Sequence, residues 1–163
     1  MNTIKLFVMT CLLWLIPHNE KIQNIYVDSI TNRIQIGSLA GNRNLEFGVR
    51  NIVEEFLQDK DYNIDPTSPN KLKIEIIFLD VLTTKKNISV IHSNSEEVVI
   101  RMRANLYVNG KKGKDIIVEE SSSEISMSTL VIDQGGKFNQ QSLSNAIKKA
   151  CESIVNQLEK QQK

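Results

Sequence analysis

The sequence predicts an α+β domain, a two-layer sandwich in which a mixed four- to five-stranded sheet carries two helices on one face. Three observations lead there. Two segments repeat apolar residues every three or four positions, as amphipathic helices do. Several others alternate apolar and polar residues, as strands with one buried face do. Elements with a single apolar face must cover one another, and two helices packed on one sheet is the simplest arrangement that achieves this.

The chain opens on a different pattern. Lys5 precedes an uncharged run from Leu6 to Ile16 (LFVMTCLLWLI), which Pro17, His18, Asn19 and Glu20 end abruptly. As a helix this run would rise about 16 Å, well short of a ~30 Å bilayer core. No polar face interrupts it, so it lacks the stripe of a surface helix. Residues 1–19 therefore read as a secretory signal peptide or a short uncleaved anchor, and residues 20–163 as a single domain. A buried first helix of the domain is the alternative. The segment Trp14-Leu15-Ile16-Pro17-His18 offers no small residues for a signal peptidase. Cys11 follows Val8-Met9-Thr10 in the manner of an acylated cysteine, yet the apolar run continues past it to Ile16.

Formal net charge is +1, and Lys5 supplies that surplus, so residues 20–163 are formally neutral. Neutrality argues against nucleic acid as a partner, because phosphate binding needs a strong basic excess. The same residues hold one cysteine, Cys151, and hence no intramolecular disulfide. Stability falls to the core.

Residues 22–30 (IQNIYVDSI) alternate, with Ile25, Val27 and Ser29 on one side, and predict the first strand. Residues 31–41 are polar and turn-rich. Leu45, Val49, Ile52, Val53 and Phe56 then form a helical stripe, with Asn44 placed to cap it and Glu46 at the positive end of its dipole. Gly48 inside this helix costs up to ~1 kcal/mol relative to alanine and suggests close packing against a neighbour. Asp59 to Pro69 ends the helix. Residues 71–82 alternate with Leu72, Ile74, Ile76 and Phe78 facing one way. Thr83 to Asn87 reads as a turn, and residues 88–91 as a short strand.

Residues 97–108 alternate again, with Val98, Ile100, Met102, Ala104, Leu106 and Val108 inward. Asn109-Gly110-Lys111-Lys112-Gly113 is a hairpin loop, since Asn-Gly adopts the positive-φ turn that strand twist favours. Residues 115–127 return as the partner strand, serine-rich toward a sheet edge. The last helix carries Leu143, Ile147, Ala150, Cys151, Ile154, Val155 and Leu158 on one stripe, capped by Asn139 or Ser142 and fraying after Leu158.

Chemistry is sparse. His92 sits in a serine- and asparagine-rich stretch read as a loop, where a lone histidine is usually solvated. Cys151 lies on an apolar stripe and reads as a small core residue. Asp59, Asp61 and Asp65 lack the glycine and closing glutamate of a calcium loop. Asn87-Ile88-Ser89 is a glycosylation triplet of a kind frequent by chance. There is no phosphate-binding glycine loop and no nucleophile elbow. The sequence thus predicts a non-enzymatic protein with no cofactor, no metal site and no catalytic residue.

The one concentrated surface signal is basic. Arg101 and Arg103 share a strand's polar face with Asn105 and Tyr107, and Lys111, Lys112 and Lys114 follow at the hairpin. Such a group suits an anionic headgroup, with guanidinium forks matched to phosphate. The competing reading is a solvated sheet face whose lysines discourage edge pairing, and Glu96, Glu97, Asp115, Glu119 and Glu120 lie near enough in sequence to cancel part of the charge.

The exported chain, its strand Ile25-Tyr26-Val27 with the Thr31-Asn32-Arg33 turn, the helix 45–57, the sheet and the closing helix 143–158 together resemble the LptE family of outer-membrane assembly lipoproteins over residues 22–158. The resemblance is one of element order, and the absence of a credible lipobox departs from it. It implies a periplasmic protein, associated with the outer membrane, that supports the lipopolysaccharide-inserting β-barrel LptD and contacts lipopolysaccharide. A different envelope- or virion-associated interaction protein with the same sandwich is the other reading.

Overall fold

Alternation along the strands becomes a mixed sheet with one covered face. The computed structural model describes residues 22–34, 45–88, 91–128 and 140–162, and the segment read as a signal or anchor, with Cys11 and His18, lies outside them. The elements run β1 (Asn24–Asn32), α1 (Leu45–Asp59), β2 (Asn63–Ile64), β3 (Lys71–Ile88), β4 (Ile91–Val108), β5 (Lys111–Lys112), β6 (Ile116–Ser128) and α2 (Gln140–Gln161). Across the sheet the order is β2-β1-β3-β4, and the far side of β4 is taken by β6 and, at its end, by β5. β1 is parallel to both β2 and β3, while β3, β4 and β6 are antiparallel neighbours. Parallel neighbours need a crossover connection, and α1 supplies it between β1 and β3.

The architecture is the expected α+β sandwich. Four long strands are supplemented by two of only two residues each, β2 and β5. Ile25 and Val27 of β1, Leu72, Ile74 and Ile76 of β3, Val98, Ile100, Met102 and Ala104 of β4, and Ile116 and Val118 of β6 are buried on one side. They join a single cluster with Val49, Val53 and Leu57 of α1 and the whole predicted stripe of α2. Each buried Val, Ile, Leu or Met side chain contributes about 1.5–3 kcal/mol by leaving water. That is why both helices share one face.

Several elements differ from expectation for physical reasons. Thr83 to Asn87 is not a turn; it continues β3, each residue paired with β4 in unbroken register from Thr83–Glu96 to Ile88–Ile91. His92 is correspondingly a strand residue between Asn87 and Ser128 rather than a loop residue, while its side chain lies outside the described ones. A polar stretch propagates as strand here because it is paired along its length, which propensity alone does not reveal. Phe78 does not face the core. A bulge between Ile76 and Phe78 shifts the alternation by one, so Leu79 packs on the core and Phe78 is 39% exposed on the opposite face.

Gly48 is not a point of close packing, for a Cβ built there meets nothing within 4 Å. Ser142 does not cap α2; it lies buried in the first turn, while Asn139 and Asn44 fall outside the described residues. The end of α2 does not fray after Leu158. It continues to Gln161, Glu159 pairs with Lys60, and the Gln162 side-chain oxygen accepts from the Ile22 amide at 3.0 Å.

Chain reversals follow local chemistry. After α1 the Tyr62 amide donates to the Leu57 carbonyl and the Asp61 amide to the Gln58 carbonyl, with Asp61 at φ 63. This is a Schellman C-cap with aspartate where glycine is usual, closed by the buried Tyr62–Leu57 pair. Asp65 accepts from the amide and hydroxyl of Thr67 in an Asx turn, which holds its carboxyl below the usual range. Asn109 (φ 49) and Gly110 (φ 79) form the predicted positive-φ turn, tighter than expected, since Val108 and Lys111 already pair.

Candidate functional site

The sheet has a second face that neither α1 nor α2 covers. On β4 the inward residues alternate with Arg101, Arg103, Asn105 and Tyr107, and the register sets the residues beside each. Arg103 lies opposite Glu75 on β3 and Ile117 on β6. Arg101 lies opposite Phe78 and Glu119. Tyr107 lies opposite Lys71 and Lys112. Side chains directly opposite on one face stand about 5 Å apart, so these residues form one continuous surface. Ile117, 54% exposed, shows how open it is.

The predicted basic residues divide into two groups. Arg101 and Arg103 are held on the sheet face. Arg101 Nε donates to Glu119 Oε2 at 2.6 Å, and its guanidinium stacks over Phe78 with 5.5 Å to the ring centroid. Arg103 reaches Glu75 at 3.4 Å, and Arg33 reaches the same carboxylate at 2.5 Å. Lys111, Lys112 and Lys114 lie at the end of the sheet. Lys112 pairs with Asp115 at 2.7 Å, a bond that raises the pKa of its ammonium. Lys111 and Lys114 are exposed and make no ion pair among the described residues.

Two residues outside the predicted group complete the surface. Lys71 and Lys73 share Asp28 at 3.8 and 3.4 Å, and Lys73 lies over the Tyr107 ring at 5.3 Å. Asp28 can serve both because a bulge between Val27 and Ser29 sets it aside from the β1–β3 pairing. Glu75 and Asp28 each answer two cations, while farther along the same face the register adds two more carboxylates, Asp80 opposite Val99 and Glu97 opposite Leu82. These lysines were legible only as alternating outward residues of β3; their approach to β4 depends on strand pairing.

Asn105 is 7% exposed, and its Oδ1 and the Nε of Arg103 have no hydrogen-bond partner among the described residues. Asn105 stands where the returning chain holds one extra residue: Tyr107 pairs with Lys112, but Ala104 pairs with Ile116. The Gly113 amide bonds to the Leu106 carbonyl there at 2.8 Å, and a Cβ on Gly113 would stand 3.0 Å from that oxygen. Buried polar atoms without partners are uncommon, and this pair offers an acceptor beside a donor.

The opposite edge of the sheet is blunted. Arg50 of α1 donates to the Val27 and Asp28 carbonyls, and the Asn32 amide donates to Glu46. On β6, Lys149 donates to the Ser121 carbonyl at 3.0 Å. Cys151 is fully buried, and burial pushes its thiol up to about 12. Among the described residues no group of three or more His, Cys, Asp or Glu side chains could hold a metal ion, and no helix is long and apolar enough to cross a membrane. An open depression of about 690 Å³ at one end of the sheet is lined by Ile22, Gln23, Asn24, Pro69, Asn70, Val108 and Asn109.

No protein-family model matches this chain, and no curated protein matches it in sequence. Solved structures do share its fold. A hypothetical protein from Chlamydia trachomatis superimposes with a TM-score of 0.51 at 11% identity, covering 86% of this chain and 95% of that one. A minor lipoprotein from Acinetobacter baumannii gives a TM-score of 0.48 at 8% identity, covering 86% and 93%. Both likenesses are of fold alone.

Proposed function

We propose that the chain is a non-enzymatic, exported envelope protein that acts by binding, in the manner of an LptE-type accessory supporting an outer-membrane β-barrel and lipopolysaccharide assembly. The observation that carries this reading is the sheet face that α1 and α2 leave open, where cations cluster on β3 and β4 beside exposed apolar groups. A two-layer sandwich leaves one side of its sheet free, and here that side holds Arg101, Arg103, Lys71 and Lys73 interleaved with Phe78, Tyr107 and Ile117. Cations beside exposed apolar groups suit an amphiphile with an anionic headgroup, such as lipopolysaccharide or another acidic lipid. The export segment read in residues 1–19 puts such ligands within reach.

Pull-down of the full chain from solubilised envelope membranes tests the reading. It expects an outer-membrane β-barrel protein among the recovered partners. Recovery of other envelope proteins without any such barrel supports the second reading, an interaction protein of different partnership on the same fold.

A further inference from the structure

We propose that the β4–β5 hairpin, through Lys111 and Lys114, seats on the anionic surface of the bilayer that receives the N-terminal apolar segment. This rests on reading residues 1–19 as a short uncleaved anchor rather than a cleaved signal, and it divides the basic group in two. Arg101 and Arg103 serve the sheet face; the hairpin lysines orient the domain.

Placement carries the argument. The depression at the end of the sheet is lined on one side by Ile22, Gln23 and Asn24 and on the other by Val108 and Asn109. The chain therefore enters the domain beside the hairpin turn. Only residues 17–21 separate the apolar run from Ile22. Six residue steps span at most about 20 Å, so a membrane holding Leu6 to Ile16 lies within that reach of Ile22, which lines the same depression as Asn109 of the hairpin. The Gln162 bond to the Ile22 amide fixes the entry point against the end of α2.

Charge makes the same end suitable. Lys111 and Lys114 are exposed and make no ion pair among the described residues, whereas Lys112 is answered by Asp115. Asp115 answers Lys112 at the hairpin, and the other carboxylates at this end, Asp59, Asp61, Asp65 and Glu159, lie around β2, four strand spacings from β5 in the sheet order. At about 4.8 Å per strand that is roughly 19 Å, beyond a Debye length of about 8–10 Å in physiological salt. They leave the hairpin's charge largely uncancelled. Two lysines on a polar turn give a peripheral contact, which strengthens an anchor without replacing it.

The test partitions the full chain onto vesicles of phosphatidylcholine alone and of phosphatidylcholine mixed with phosphatidylglycerol. Each basic residue near an anionic surface contributes about a fivefold gain in partitioning. Through the two hairpin lysines the wild type should gain about 25-fold in preference for the mixed vesicles at low salt, and lose most of that gain at high salt. Lys111→Glu with Lys114→Glu should remove that roughly 25-fold share, whatever acidic-lipid binding the sheet face retains. Lys85→Glu with Lys86→Glu, at the far end of the β3–β4 ladder, should leave it unchanged. An unaltered preference in the hairpin variant, or an equal loss in the distant one, overturns the proposal. Binding to phosphatidylcholine alone reports separately on the apolar segment. Its absence, with the lipid preference intact, refutes the anchor reading and leaves the hairpin assignment standing.

Discussion

Cys151 gives the most quantitative prediction. It lies on α2 with no exposure, and desolvation pushes its pKa from 9.0 to about 12. The thiolate is the reactive form. At pH 8 a thiol of pKa 9 is ionised about one part in ten, and one of pKa 12 about one part in ten thousand. Ionisation alone therefore slows alkylation about a thousandfold relative to the unfolded chain, and exclusion of the reagent slows it further. The assay is iodoacetamide labelling of a Cys11→Ser full chain, followed by intact mass with and without guanidinium. A native rate within tenfold of the unfolded rate would refute the burial of this helix face.

The same burial predicts a pH dependence. The folded pKa is raised, so between pH 9 and 12 the unfolded state binds fewer protons than the folded one. Stability is then lost as pH rises, at up to about 1.4 kcal/mol per unit. Below pH 9 this group contributes nothing to the slope. Tyr62, raised by burial and then by Glu159, acts in the same direction at higher pH. The urea midpoint should fall from pH 8 to pH 10.5, and Cys151→Ala should flatten part of that fall; parallel slopes would contradict it.

Two backbone substitutions test the local geometry. Gly48→Ala places a methyl where no atom lies within 4 Å, and should stabilise by about 0.5–1 kcal/mol, seen as a thermal midpoint raised by about 2–4 °C per kcal/mol; a lower midpoint would mean that something packs there. Asp61→Gly removes a side chain from a positive-φ C-cap and should gain up to about 1 kcal/mol in urea unfolding, whereas destabilisation would argue that the aspartate side chain is needed.

Much of the fold was legible because the core is built from regular periodicities. The stripe from Leu143 to Leu158 is buried in full, and the alternation of residues 98–106 matches the inward face of β4. What misled was non-local. A bulge turns Phe78 outward, and no local signal marks it. Thr83 to Asn87 looks like a turn because each residue is polar, yet pairing along its length carries the strand on. Gly48 looks like a packing contact until its surroundings are known to be open. The basic group was visible as composition, but its division was not. Arg101 and Arg103 are answered by Glu119 and Glu75 across strands, and only Lys111 and Lys114 among the predicted residues stay unanswered among those described.

The central claim is that this sandwich works in the cell envelope. Separating cells of its source into cytoplasmic and envelope fractions, and measuring the chain by intact mass in each, tests it most directly. Recovery in the envelope fraction is expected, with the mass reporting whether residues 1–19 are retained. Recovery of the full-length, unmodified chain in the cytoplasmic fraction would contradict it.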